Sequence, residues 1–216
     1  MTQMAPTLQL VLATNNTKKL IELQALLGPA GVTLVAQRAL GISEAEEPHA
    51  TFIENALTKA RHAAHASGGP AIADDSGLCV AALGGAPGVV SSHFARVDLP
   101  VGEREVQRAV QDAANNRLLL ERLETAVDRR AHFIATLVAL RRADDPEPLI
   151  AVGHWHGEIA RTPDGAGGFG YDPLMFIPAL GASVAALTSA QKNAHSHRAV
   201  AARLMLGLMR DVWHLG

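Results

Sequence analysis

Leu8–Gly28 reads LQLVLATNNTKKLIELQALLG, and its first third asks for a different backbone from the rest. Leu8–Ala13 is a short apolar run of the length a buried strand needs. Thr14, Asn15 and Asn16 interrupt it with turn and capping residues. Leu20, Leu23 and Leu27 then recur at helical spacing, and Gly28 stands where a helix often closes on a left-handed residue. Asn15 or Asn16 supplies the N-cap. A strand that turns straight into a helix is the elementary unit of an α/β protein.

The chain on either side continues in mixed style. Gly31–Ala36 reads as a second strand, and Ile42–His49 as an acidic loop. Thr51 and Glu54 fit a capping box, which predicts a helix to about Ala66. Phe52, Ala56, Ala60 and Ala63 make one apolar stripe of that helix, and Asn55 and Lys59 share another face. Ala71–Ala73 is a strand that meets Asp74 and Asp75. Gly84–Gly88 is a tight loop, and Arg104–Thr125 is helical by pattern. His132–Arg141 and Leu149–Trp155 are strands joined through a Pro-rich turn, which makes a hairpin. Leu174–Ile177 is another strand. Thr188–Gln191 reads as a second capping box, opening one C-terminal helix with Ala194, Ala201, Leu204 and Leu208 toward the core. Strict βαβ alternation is absent, as are repeats and linkers. The expected fold is therefore α/β: a mixed, twisted sheet flanked by helices, 1–216 forming a single domain with a smaller lobe built around the 132–160 hairpin.

Hydrophobic residues make up 48% of the 216, so a sizeable core is expected and disorder is not. The net charge of -2 leaves no basic footprint for nucleic acid or an anionic membrane. Cys79 is the one cysteine, which rules out an internal disulfide and a thiolate metal cluster. The first residues, MTQMAPT, carry no basic segment ahead of an apolar run, and no stretch is long enough to span a bilayer. A cytoplasmic enzyme or binding protein is expected.

Five stretches carry polar chemistry. Asp74-Asp75-Ser76-Gly77 is ordinary turn material, but it equally offers carboxylates to a hard cation such as Mg²⁺, which takes one or two of them beside substrate phosphates. Glu44, Glu46 or Glu47 in the acidic loop is a source of a second ligand. Thr14–Lys19 follows a strand and opens a helix, where backbone N–H groups and the helix dipole favour an anion, with Lys18 or Lys19 adding charge. Gly167–Pro173 (GGFGYDP) lets backbone approach a ligand and presents Phe169 as a flat ring on which a base can stack. Lys192, His197 and Arg198 are donors grouped near the start of the last helix. The close pairs His62/His65, His154/His156 and His195/His197 lack an HExxH pattern and differ in element and register, which argues against zinc. No G-x-S-x-G elbow marks a serine hydrolase.

The order TNNTKK, glutamate loop, TFIENALTKAR, ADDSG, GGAPG, GGFGYDP and SHRA resembles the inosine/xanthosine triphosphate pyrophosphatase family, from about Leu8 to the last helix. The resemblance implies an elongated two-lobed α/β fold with a cleft, a homodimer, and Mg²⁺-dependent hydrolysis of non-standard purine nucleoside triphosphates (ITP, dITP, XTP) to monophosphate and pyrophosphate. It further implies that Thr14, Asn15, Asn16, Thr17, Lys18, Lys19 and Lys59 hold the triphosphate. Glu46 and Asp75 would hold Mg²⁺, Asp75 also accepting the proton of the attacking water, and Ser76 would contact substrate. Phe169, Gly170, Tyr171, Asp172, Lys192, His197 and Arg198 would bind the nucleoside end. A pyrimidine-directed pyrophosphatase, a silent nucleotide sensor and a nucleic-acid-binding protein are the competing readings. The purine-type GGFGYDP and SHRA runs, the acids and lysines, and the net charge respectively argue against them.

Overall fold

A computed structural model describes residues 8–215; the MTQMAPT segment lies outside them. In chain order the elements are β1 Leu8–Leu12, α1 Thr17–Leu27, β2 Val32–Ala36, α2 Phe52–Ser67, β3 Ala71–Val80, α3 Arg104–Arg122, β4 Arg130–Leu140, β5 Leu149–Ile159, β6 Met175–Ile177, β7 Ala182–Ser183, α4 Ser189–His195 and α5 His197–Trp213. The strands make one seven-stranded sheet in the order β2-β1-β3-β4-β5-β6-β7. β1 runs parallel to β2 and β3, whereas β5, β6 and β7 are antiparallel neighbours, so the sheet is mixed as expected.

The chain divides into two compact units. The first is Met1–Asp75, Ala135–His154 and Asn193–Gly216, and the second is Ser76–Ile134 and Trp155–Lys192. The second unit is thus not built around the 132–160 hairpin, whose inner part, 135–154, belongs to the first.

In the first unit, strand alternation sorts side chains to two helical layers. Leu10, Leu12, Ile72, Leu137 and Ala139 pack with Leu23 and Leu27 of α1 and Ala201, Ala202 and Met205 of α5. Val11, Ala13, Ala71, Ala73, Val138 and Leu140 pack with Ala56, Ala60 and Ala63 of α2. Burying a side chain such as Leu23 or Leu27 stabilises the fold by about 1.5–3 kcal/mol. Gly153 on β5 lets α5 lie directly on the sheet: a Cβ there would strike the His197 carbonyl oxygen and stand 2.5 Å from the Ala201 nitrogen. The second unit has its own core, in which Leu78, Phe133, Trp155 and Ile159 meet Leu119 and Leu123 of α3 and Tyr171, Leu174 and Met175.

Local signals place the starts of the helices. Asn16 caps α1, its side-chain oxygen accepting from the N–H groups of Lys18 and Lys19 at 3.0 and 3.3 Å. Thr51 caps α2 by accepting from the Glu54 N–H at 3.3 Å, and its hydroxyl donates to the Glu54 carboxylate at 2.6 Å. Thr188 and Gln191 form the reciprocal box, each side chain accepting from the other's backbone N–H.

Three expectations are corrected. Gly28 is right-handed (φ −56°) and starts a short 3₁₀ turn; the left-handed residue is Gly31 (φ 82°). The acids do not end a strand or make a turn, because Ala71–Val80 is continuous. The C-terminal helix is broken by Ser196, which caps α5 by accepting from the Ala199 N–H at 3.2 Å. The phase of the helix therefore resets: Ala194 and Leu204 are exposed, and Ala201, Ala202, Met205, Leu206 and Met209 form the core face.

Candidate active site

Successive side chains of β3 leave opposite faces of the sheet. Asp74 follows Ile72 toward α1 and α5, and Asp75 follows Ala73 toward α2. Both carboxylates are buried, so each needs cationic partners.

Asp74 receives two cations on one oxygen. Lys19 Nζ of α1 lies 2.9 Å from Oδ2, and Arg198 Nε of α5 donates to the same atom at 3.1 Å. Arg198 also donates through Nη1 to Glu22 at 2.9 Å, tying α5 to α1. Burial opposes ionisation of Asp74, but Lys19 and Arg198 together hold its carboxyl far below the usual range. Burial also pulls the Lys19 ammonium down, more than Asp74 restores.

Asp75 meets Lys59, which approaches from α2. Lys59 Nζ donates to Asp75 Oδ1 at 2.7 Å, to the Asp74 carbonyl at 3.1 Å and to Glu47 Oε2 at 2.9 Å. Burial pushes Asp75 up to about 6 in spite of Lys59. Lys59 itself is depressed by burial but raised on balance by Asp75 and Glu47. Glu47 is raised by burial and lowered on balance by Lys59. Adjacent aspartates are thus displaced in opposite directions.

The acidic loop carrying Glu47 is pinned to α2 through Asn55. Its side chain accepts from the His49 N–H at 3.0 Å and donates to the His49 carbonyl at 3.1 Å. Glu46 and Glu47 are both exposed, and Glu47 is the one whose carboxylate reaches Lys59. Asp75 Oδ2 is buried without a hydrogen-bond partner among the described residues. An unspent carboxylate oxygen beside a second carboxylate is an oxygen donor set that suits a hard divalent cation. No group of three or more His, Cys, Asp or Glu that could hold a metal ion occurs among the described residues. The donor set therefore fits a cation such as Mg²⁺, which keeps waters and takes further ligands from substrate phosphates, and does not fit a closed protein cage.

Thr14 and Asn16 shape the turn into α1, with Thr14 Oγ1 accepting from the Asn16 N–H at 3.1 Å. Asn15 is half-buried, and Thr17 and Lys18 are exposed. Ser76, the first residue of the second unit, is half-buried, and His197 is buried at the first turn of α5.

The second unit holds the glycine-rich loop. Asp172 Oδ2 accepts from the Phe169 N–H at 3.0 Å and from Lys192 Nζ at 2.8 Å. Lys192 Nζ also stands 4.7 Å from the centroid of the Phe169 ring. Gly168 (φ +75°) is required here, since a Cβ would run into the Asp172 carboxylate. Tyr171 is buried and donates its hydroxyl to the Ser91 carbonyl at 2.9 Å, so its ring belongs to the core. The half-buried ring of this loop is Phe169.

Glu22, Asp112 and Asn116 were not singled out by sequence reasoning, and Asn55 only as the residue sharing a helix face with Lys59. Each is a polar residue on an ordinary helix face, and only its partners distinguish it. Glu47, already a candidate ligand source, is distinguished from Glu46 by its contact with Lys59.

A mixed α/β sheet that gathers two buried carboxylates and two lysines at one strand has the donor set of an enzyme that handles phosphorylated ligands. The Ham1 family model matches residues 10–208. A dITP/XTP pyrophosphatase of Methylibium petroleiphilum is 66% identical over 206 residues, which is 95% of this chain and 99% of that protein. A dITP/XTP pyrophosphatase of Leptothrix cholodnii is 64% identical over 211 residues, 96% of this chain and 100% of that one. A solved HAM1 protein from Coxiella burnetii superposes with a TM-score of 0.84 at 40% identity, covering 95% of this chain and 100% of that one. The chain belongs to the Ham1 family.

Proposed function

We infer that this chain is a nucleoside-triphosphate pyrophosphatase that hydrolyses non-standard purine nucleotides, dITP, XTP and ITP, to the monophosphate and pyrophosphate. The observation that carries the reading is Asp75: one carboxylate oxygen is held by Lys59 at 2.7 Å, the other is buried with no hydrogen-bond partner among the described residues, and Glu47 shares the same lysine at 2.9 Å. It is supported by relatives at 66% and 64% identity that bear the name dITP/XTP pyrophosphatase.

The roles assigned to the residues follow from their chemistry. Asp75 orients the attacking water and accepts its proton. The water oxygen bonds to phosphorus, the bridging P–O bond of the α–β anhydride breaks, and pyrophosphate leaves. Asp75 is assigned to hold a divalent cation, with Mg²⁺ the ion of choice; its companion carboxylate is Glu46, the ligand implied by resemblance, or Glu47, which shares Lys59 with Asp75. When bound, the cation offsets phosphate charge and polarises the anhydride. Lys59 fixes the Asp75 carboxylate, and Thr14–Lys19 at the start of α1 serves the phosphates. Ser76 is assigned to a substrate contact.

Phe169, Gly170, Tyr171, Asp172 and Lys192 are assigned to the nucleoside end, with His197 and Arg198 at the head of α5. Inosine and xanthosine carry an oxygen at purine position 6, where adenosine carries an amino group. Donors such as Lys192 pair with that oxygen and are left unpaired by adenine, which discriminates by about 10⁴-fold or more where the site is built on such bonds. A homodimer and a cytoplasmic location belong to the same proposal. No helix among the described residues is long and apolar enough to cross a membrane.

The test is product analysis with Mg²⁺ and, separately, ITP, dITP, XTP, ATP, GTP and dUTP. Monophosphate and pyrophosphate from the first three, with ATP spared, is the expected result. Diphosphate and orthophosphate would overturn the bond assignment, and tight binding without turnover would make the protein a sensor. Asp75→Asn should lower kcat by on the order of 10²–10⁴-fold.

A further inference from the structure

Gly170 stands between Phe169 and Tyr171 with φ +62°. Both of its backbone polar groups are held by side chains of α3. Asp112 Oδ2 accepts from the Gly170 N–H at 2.8 Å, and Asn116 Nδ2 donates to the Gly170 carbonyl at 2.9 Å. The two are four residues apart, so they project from one face of the helix and bracket a single residue of the loop. An acceptor and a donor in that order match the N–H and C=O of one residue.

The peptide groups on either side of Gly170 are therefore fixed, and the backbone of Phe169 is also bonded to Asp172. Tyr171 on the far side is anchored by its hydroxyl on Ser91. The Phe169 ring is thus placed from both sides of the loop, with the Lys192 ammonium against its face. A glycine-rich loop left to itself samples many backbone states, and ordering it only when a ligand arrives would weaken binding.

We propose that Asp112 and Asn116 are positioning residues for nucleobase recognition: they clamp Gly170 and so hold Phe169 ready for the base of the substrate. The proposal rests on the assignment of the Phe169 loop to the nucleoside end. It adds two residues that touch no reacting atom and act through the loop backbone.

The experiment compares Asp112→Ala, Asp112→Asn, Asn116→Leu and Phe169→Ala in steady-state kinetics with ITP and Mg²⁺, with pyrophosphate as product inhibitor in each. Asp112→Asn keeps an oxygen acceptor in place, so it serves as the conservative rescue. The expected result is a KM for ITP raised roughly tenfold in Asp112→Ala and Asn116→Leu, the size of one charged or buried hydrogen bond. The kcat and the pyrophosphate inhibition constant should stay near wild type, and Asp112→Asn should lie close to wild type in all three. If KM, kcat and the inhibition constant move together, the residues merely support the fold and the proposal is wrong. If KM rises in Phe169→Ala but stays at the wild-type value in the α3 variants, the clamp is refuted while the base loop stands. If Phe169→Ala leaves KM unchanged, the loop does not bind the base, and the clamp has nothing to position.

Discussion

Replacing Asp74 by Asn removes one charge and almost no volume. Lys19 and Arg198 converge on a single oxygen of this carboxylate, at 2.9 and 3.1 Å, and its side chain is fully buried. Their side chains are 16% and 4% exposed, so water replaces the lost partner only in part. Breaking a buried ion pair from one side costs about 3–5 kcal/mol, because the remaining charge stays buried and uncompensated. Glu22 still holds Arg198, which puts the expectation near the lower bound, about 3 kcal/mol. For a chain of this length that is a fall in Tm of roughly 10 °C. Thermal melts followed by circular dichroism, with urea midpoints beside them, read the change directly. The double variant Lys19→Met/Asp74→Asn removes one of the orphaned cations, so its loss should be smaller than the sum of the single losses by about 1–3 kcal/mol. A Tm for Asp74→Asn within about 2 °C of wild type, or strict additivity in the double variant, would refute the claim that Asp74 is the counter-ion of this cluster.

Thr136 lies buried on β4 with its hydroxyl unpartnered among the described residues, so Thr136→Val should raise stability by about 1 kcal/mol in a urea melt. Asp145 is held down to about 2, first by hydrogen bonding from the Arg141 side chain. A depressed folded-state pKa contributes stability above the ordinary carboxylate range that is lost as pH falls toward 2, so wild type should lose stability over that window more steeply than Asp145→Asn. Asn55→Ala releases the loop that carries Glu47, and the Mg²⁺ concentration for half-maximal hydrolysis should rise several-fold, whereas an unchanged requirement would dissociate that loop from the cation.

The strand–turn–helix at the start of the chain was legible because its signals are local: an apolar run, a capping Asn, a helical period. The same holds for the two capping boxes and for the hairpin partners β4 and β5, which are neighbours in the sheet. Asp74-Asp75-Ser76-Gly77 misled because its local chemistry is that of a turn. It is extended because cations from α1, α2 and α5, up to 124 residues away, neutralise the acids within the sheet. Core positions after Thr188 were counted in one helical phase, and Ser196 resets that phase, which exposed Leu204 and buried Met205. The grouping of Lys59 with Asp75 was legible only through the motif order. Among the acids of the loop, Glu47 was distinguishable only by its distance to Lys59.

The absence of a side chain at Gly153 makes α5 a fixed datum. Where two elements meet through side chains, their spacing drifts with every substitution at the contact. Here the first turns of α5 meet β5 main chain to main chain, and main-chain radii do not vary. His197 and Arg198 therefore stand at a height that changes on the outer face of the helix cannot alter. Which side chains this helix carries at that height is open to substitution, and the height itself is not.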